Sequence, residues 1–208
     1  HSQSRTKRAI KKADVVLLLL DARTKVSELD KQISKFLIEE NKPCVLAINK
    51  WDLVKGKLQP ADYLKYLDLT LRGLQFAPIS FISAQTGFNV WETISLAEDL
   101  YQQSCQKVKT PLINKILKKI HITRRPKGME PRIYYAFQTG IHPPTITFKV
   151  NKAVLFDKNI QRYLINFLRK ELPFKEVPIR LLFQGKDQPS RLRRDKLRTQ
   201  RVAKVKTV

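Results

Sequence analysis

Asn49-Lys50-Trp51-Asp52 sets an amide, an amine and a carboxylate directly after one apolar run, and Ser83-Ala84 stands at the end of the next. An ionised carboxylate only accepts hydrogen bonds and can take two side by side. The partner it fits carries a ring N–H and an amino group on one edge, as guanine does and adenine does not. A site built on such hydrogen bonds can discriminate by roughly 10⁴-fold or more, because the wrong ligand leaves it unpaired. In this arrangement Asp52 accepts from both donors, while Asn49 ties the two segments together and meets the base edge. The stem of Lys50 packs on the base plane, the Ala84 N–H serves the guanine carbonyl, and Ser83 holds Asp52. The same residue types also suit a plainer role, since Asn and Asp often close the turn that follows a strand.

The surrounding pattern determines whether the two segments can meet. Val15 to Leu20 is a continuous β-branched and leucine run, the pattern of a strand buried on both faces of a parallel sheet. Ser27, with Asp30 three positions on, opens a helix through Leu29, Ile33, Phe36 and Leu37. Cys44 to Ile48 reads as a second strand, Tyr63, Leu64, Leu67, Leu71 and Leu74 as a second helix, and Ile79 to Ile82 as a third strand. A helix follows from about Asn89, with Glu92 at the reciprocal capping position and Val90, Ile94, Ala97 and Tyr101 on its apolar face. Regular alternation of strand and helix predicts an α/β domain with a doubly wound parallel sheet, which binds ligands beyond the carboxyl ends of its strands. Asp21, Asn49 and Ser83 fall at those ends.

The composition turns basic near residue 106, where Thr110-Pro111 reads as an N-cap with proline in the first turn. Leu112, Ile113, Ile116, Leu117 and Ile120 give that helix its apolar face, and the stretch through Lys127-Gly128 reads as a loop. Ile133, Tyr135 and Phe137, then Ile146, Phe148 and Val150, alternate as core-facing positions of two half-buried strands. A helix through Ile160, Leu164, Phe167 and Leu168 and a strand through Val177, Ile179, Leu181 and Phe183 complete an α-β-β-α-β order. This predicts a small α+β domain over 107–184, with helices packed on one face of a three-stranded sheet. The other face receives Arg132, Tyr134, Lys149 and Arg180, a cationic surface with one aromatic that could stack a base or grip phosphate. The same face could equally dock against the preceding domain. Residues 185–208 hold nine basic side chains, two acidic and no aromatic, the composition of a basic tail that stays disordered when free.

Charge separates the two parts. The chain carries 41 Lys and Arg against 18 Asp and Glu, a formal +23, of which residues 1–106 hold +3 and residues 107–208 hold +20. Such a balance is the electrostatic footprint of a phosphate-backbone partner, and RNA is favoured. The longest apolar run, Val15 to Leu20, is too short to span a bilayer, so no membrane is expected. Cys44 and Cys105 lack metal-binding spacing and read as inert thiols in a reducing compartment, and His1, His121 and His142 are scattered. Trp51 and Trp91 have no role beyond packing. The chain opens at His1 and its only Met is Met129, which suggests a start inside a longer protein.

Asn49-Lys50-Trp51-Asp52 and Ser83-Ala84-Gln85-Thr86-Gly87 resemble the fourth and fifth nucleotide-binding motifs of translation-factor-type GTPases. Further stretches, among them Ala13-Asp14-Val15-Val16, Ile133-Tyr134-Tyr135-Ala136 and Pro178-Ile179-Arg180-Leu181, are similar to the double-GTPase-domain family Der, also called EngA, over about residues 4–184. The resemblance implies that residues 1–106 are the latter part of a P-loop-GTPase-type sheet, hence incomplete, and that residues 107–184 form a KH-like domain. It also implies GTP and GDP as ligands, GTP hydrolysis with Mg²⁺ in the complete protein, and a cytoplasmic, monomeric role in assembly of the large ribosomal subunit on ribosomal RNA. The family's phosphate-binding motif, G-x-x-x-x-G-K-[ST], and its Asp-x-x-Gly are absent from these residues, and the family places both upstream. Residues 1–208 alone are therefore expected neither to hydrolyse GTP nor to bind it tightly. The Gly-x-x-Gly clamp of an authentic KH module is also missing, because no two of the six glycines stand three apart. A non-catalytic RNA-binding protein that keeps a decayed GTPase half as scaffold is the competing reading.

Overall fold

The computed structural model describes residues 2–122 and 130–185. The chain divides into two units, one made of residues 1–107 with 140–145 and 168–180, the other of 108–139 with 146–167 and 181–208. The sequence reading keeps 107–184 together as one domain. The expected loop at Lys127-Gly128 and the tail beyond Gly185 lie outside the described residues.

The first unit alternates helix and strand: α1 (Ser2–Lys12), β1 (Val16–Asp21), α2 (Glu28–Glu39), β2 (Cys44–Asn49), α3 (Pro60–Thr70), β3 (Ile79–Phe81) and α4 (Val90–Cys105). The sheet runs β1-β2-β3 with both pairings parallel, Asp21 opposite Asn49 and Ile48 opposite Phe81. β2 is central, and its residues from Cys44 to Ile48 are all buried, which accounts for its unbroken apolar run. Burial also pushes the Cys44 thiol up to about 12, so this cysteine packs as a small hydrophobe. The capping box at Ser27 and Asp30 forms as expected, with the Asp30 N–H donating to Ser27 Oγ and the Ser27 N–H to Asp30 Oδ2.

Two expectations for this unit need correction, and one helix is unexpected. β1 is not buried on both faces: Leu18 and Leu20 are buried, whereas Leu17 and Leu19 on the opposite face are 38% and 54% exposed. α1 carries no periodic signal in the sequence, since only Ala9 and Ile10 are apolar in its eleven residues. It is held by burial of Ile10 and by Lys7 and Lys11, whose ammonium groups lie 5.5 and 5.9 Å from the Phe36 ring centre. α4 packs through Thr93, Leu100 and Ser104, leaving Ile94 and Tyr101 exposed. Hydrophobicity picks the wrong stripe because buried Thr93 and Ser104 are satisfied by hydrogen bonds, Thr93 to Ser80 Oγ and Asn89 O, Ser104 to Tyr101 O and the His142 ring. The other nitrogen of that ring lies 3.1 Å from Asp14 Oδ1, so His142 has two polar partners.

The expected α-β-β-α-β order appears as α5 (Thr110–Leu117), β4 (Ile133–Gly140), β5 (Thr145–Val150), α6 (Lys158–Glu171) and β6 (Arg180–Gly185), with the sheet ordered β4-β5-β6. The α5 cap is Lys109, one residue before the threonine expected there. Ile113, Ile116, Ala136, Ile146, Phe148, Val150 and Leu164 are buried, and Phe183 stacks between Phe148 and Phe156 at 5.3 and 4.7 Å. β4 lies at the sheet edge, where the Asn114 amide serves both the N–H and the C=O of Ala136, at 3.0 and 2.9 Å. Side-chain amide pairing of this kind closes an edge that would otherwise expose backbone groups. The alternation expected along β4 fails, because the core-facing residue is Ala136 and Tyr135 is 48% exposed.

Candidate functional site: a guanine-reading loop pair

Parallel pairing brings the ends of β2 and β3 to the same rim of the sheet, and the two expected loops follow them. Asn49 ends β2 and Lys50 takes a left-handed conformation (φ 64°), which turns the chain into a short 3₁₀ turn over Trp51–Leu53. Asn49 Oδ1 accepts from the Lys50 N–H at 2.8 Å and from the Ala84 N–H at 3.0 Å, so one side-chain oxygen clasps both loops. The backbone adds a second tie, from the Trp51 N–H to Ile82 O at 3.0 Å. Trp51 is buried against Phe81 and Tyr63, with ring centres 4.2 and 5.8 Å away, and this anchors the first loop from below.

The second loop is fixed from within. Ser83 is buried, its N–H donates to Phe88 O, and its hydroxyl accepts from the Thr86 N–H at 3.3 Å. Gly87 (φ 79°) and Asn89 (φ 56°) make the reversals that return the chain to α4. Asn89 then donates to Ser80 Oγ and Phe81 O, both at 3.2 Å, and Ser80 Oγ meets Thr93 Oγ1 at 2.7 Å. Asn89 thus supports the site; its side chain makes no helix cap, so the reciprocal capping expected with Glu92 does not form.

Two of the expected contacts are made differently. The Ala84 N–H is engaged by Asn49 in place of a guanine carbonyl, and Ser83 bonds its own loop in place of Asp52. Asp52 is exposed and has no hydrogen-bond or ionic partner among the described residues, while its loop is held firmly by its neighbours. A carboxylate left unpaired on a rigid turn is a receptor for two donors.

Lys50 is held by a partner that the sequence reading does not assign. Its ammonium donates to Asp21 Oδ2 at 2.7 Å, and Asp21 also receives Arg23 through Nε, Nη2 and the backbone N–H at 3.1, 2.9 and 3.0 Å. The Arg23 guanidinium first, then the Lys50 ammonium and the Arg23 N–H, hold the Asp21 carboxyl well below the usual carboxylate range. A lowered carboxylate pKa favours the folded state above the ordinary carboxylate range, and that contribution is lost only as acid protonates the group. The Lys50 anchor is therefore intact across neutral pH. The position of Asp21 at a strand end is visible in the sequence, but its register opposite Asn49, which brings it to Lys50, is not.

The basic candidates are placed as follows. Arg132 is exposed and pairs with Glu130 at 3.2 Å, Tyr134 is exposed, and Lys149 is half-buried on β5. Arg180 is exposed and donates its backbone N–H to Pro144 O at 2.8 Å. The four candidates do not share the one face expected of them: with Ala136 facing the core, Arg132 and Tyr134 fall on its side of β4, whereas Tyr135 and Phe137, stacked at 6.0 Å, fall on the side where Thr139 meets Thr147 of β5, the side of Lys149.

The parallel sheet with its alternating helices defines an α/β protein of the GTPase-domain class, as comparison with known proteins shows. Residues 3–122 match the model of the elongation factor Tu GTP binding domain, and residues 107–184 match the KH-domain-like of EngA bacterial GTPase enzymes, C-terminal. The chain belongs to the family of the elongation factor Tu GTP binding domain, followed by an EngA-type KH-like domain. It is similar to GTPase Der of Rhodopirellula baltica, with 37% identity over 88% of this chain and 41% of that one. GTPase Der of Halothermothrix orenii is 40% identical over 89% of this chain and 43% of its own length, and that of Caldicellulosiruptor saccharolyticus 38% over 90% and 44%. The chain thus spans less than half the length of these relatives. Among the described residues no helix is long and apolar enough to cross a membrane.

Proposed function

We propose that this chain is the guanine-reading and RNA-docking part of a GTPase that acts in assembly of the large ribosomal subunit in the bacterial cytoplasm. The observation that carries the reading is the Asn49 clasp, with the unpaired Asp52 carboxylate on the turn beside it. Asp52 accepts from the ring N–H and the exocyclic amino group of guanine. The Asn49 amide hydrogens, which have no partner among the described residues, are the donors left for the base's acceptor edge, because its oxygen is occupied by Lys50 and Ala84. Lys50, drawn to Asp21, lays its stem along the base plane.

GTP and GDP fit this chain at the base only. No G-x-x-x-x-G-K-[ST] and no Asp-x-x-Gly occurs in its 208 residues, so these residues supply neither a phosphate cradle nor the groups that would hold Mg²⁺. No hydrolytic step is assigned to them. The +20 part supplies the affinity for ribosomal RNA, with Arg132, Tyr134, Lys149 and Arg180 as candidate contacts and the protein acting as a monomer.

The test is displacement of labelled GDP from the whole protein, in which these loops are joined to a phosphate-binding loop. Guanine nucleotides should compete about 10⁴-fold better than adenine nucleotides. Equal competition by ATP would remove the base-reading role.

A further inference from the structure

A concave surface lies in the first unit beside the two loops, and its lining includes Trp51, Ser80, Phe81 and Asn89, which support them, but none of the residues assigned to guanine. A groove of about 740 Å³ runs between β3 and α4, lined among others by Phe81, Phe88, Trp91, Glu92, Leu96 and Asp99. Its walls are unusual for a surface that does nothing. Trp91 is 76% exposed and Phe88 56% exposed, although the sequence assigns Trp91 only to packing. Glu92 and Asp99, about two helical turns apart on α4, line the same groove, and neither has an ionic partner among the described residues. β3 beneath them is the edge of its sheet among the described residues.

The floor is preorganised. Ser80, Asn89 and Thr93 are locked together by hydrogen bonds of 2.6 to 3.2 Å, and Phe81 lies against buried Trp51. Binding there costs little reordering of the protein.

Charge selects the occupant. The chain as a whole carries +23, yet this groove is lined by two carboxylates against a single ammonium, Lys55. At physiological salt the Debye length is about 8 Å, so a ligand in the groove feels chiefly the charges that line it. Aromatic faces beside unpaired carboxylates suit a side chain with an apolar stem and a cationic head, through stem packing, cation–π contact and ion pairing. Nucleic acid offers phosphates, which two carboxylates repel.

We propose that the β3–α4 groove docks an extended segment of a partner protein that carries Lys or Arg next to apolar residues. The aromatics hold the stems and apolar side chains, Glu92 and Asp99 pair with the cationic heads, and the β3 edge lies alongside the segment's backbone. The groove shares supporting residues with the guanine-reading loops, but the residues that would contact the segment, Phe88, Trp91, Glu92 and Asp99, are none of those assigned to guanine, so the two readings are tested separately.

The test uses the whole protein and a fluorescein-labelled nonapeptide of alternating Lys and Leu, followed by anisotropy at physiological salt. Comparison probes are the same peptide with Glu for Lys and a single-stranded RNA of equal length. Trp91→Ala should weaken the Lys peptide by about tenfold, and so should the double change Glu92→Gln with Asp99→Asn, while binding of the other two probes stays the same. All three side chains are exposed, so far-UV spectra and melting curves of both variants should match the parent. The proposal is overturned if the Lys peptide does not bind, if neither variant weakens it, or if the RNA loses affinity in parallel on Trp91→Ala.

Discussion

Asp52→Asn in the whole protein should lower GTP affinity by about 10⁴-fold and raise affinity for xanthosine triphosphate. The introduced amide can donate to the carbonyl that xanthine carries in place of the guanine amino group, and it no longer offers two acceptors to guanine. The change leaves the fold intact. Asp52 is exposed and has no bonded partner among the described residues, and substitutions away from such contacts stay within about 0.5 kcal/mol. The loop is positioned by Asn49, Trp51 and Ala84, so the substituted side chain inherits the same place. Displacement of labelled GDP by each nucleotide gives both affinities, and unchanged GTP binding in the variant would take Asp52 out of the site.

Binding to large ribosomal subunits should fall about 10³- to 10⁵-fold between roughly 50 and 200 mM salt, the range for a protein that neutralises about six to ten phosphates. Residues 107–208 carry 26 basic side chains against 6 acidic ones, enough to make such a footprint without a Gly-x-x-Gly clamp. Replacing Lys149 or Arg180 with Gln should reduce the slope of log affinity against log salt by about one each if the side chain meets a phosphate. Arg132 is expected to contribute less, because Glu130 already pairs with it at 3.2 Å. Co-sedimentation at several salt concentrations, with and without residues 185–208, apportions the slope between the KH-like part and the tail. A flat dependence would contradict an RNA-backbone partner.

The parts of the molecule that can be read from sequence are those where one physical pattern dominates. β2 has strands on both sides and is buried along its length, so its apolar run marks both the strand and the loop that follows. Ser27 and Asp30 carry their capping box within four residues, and local chemistry of that kind needs no tertiary information. α4 and β4 mislead for different reasons. Thr93 and Ser104 line the packed side of α4, and polar groups buried through hydrogen bonds look like surface residues in a sequence. In β4 the core-facing residue is the small Ala136, set between exposed tyrosines and half-buried Phe137, so the aromatics draw the eye to the wrong face. At the site, residue types reveal Asn49, Lys50 and Asp52, but the hydrogen-bond partners depend on register. Asp21 reaches Lys50 and Ala84 reaches Asn49 only because three strands end at one rim, a fact of pairing and not of composition.

The most direct measurement is a crystal structure of the whole protein with GDP bound. Both Asp52 carboxylate oxygens should lie about 2.7 to 3.2 Å from the guanine ring nitrogen and exocyclic amino nitrogen, with the Lys50 stem against the base plane. A base seated elsewhere, or an Asp52 side chain turned away from it, would contradict the account.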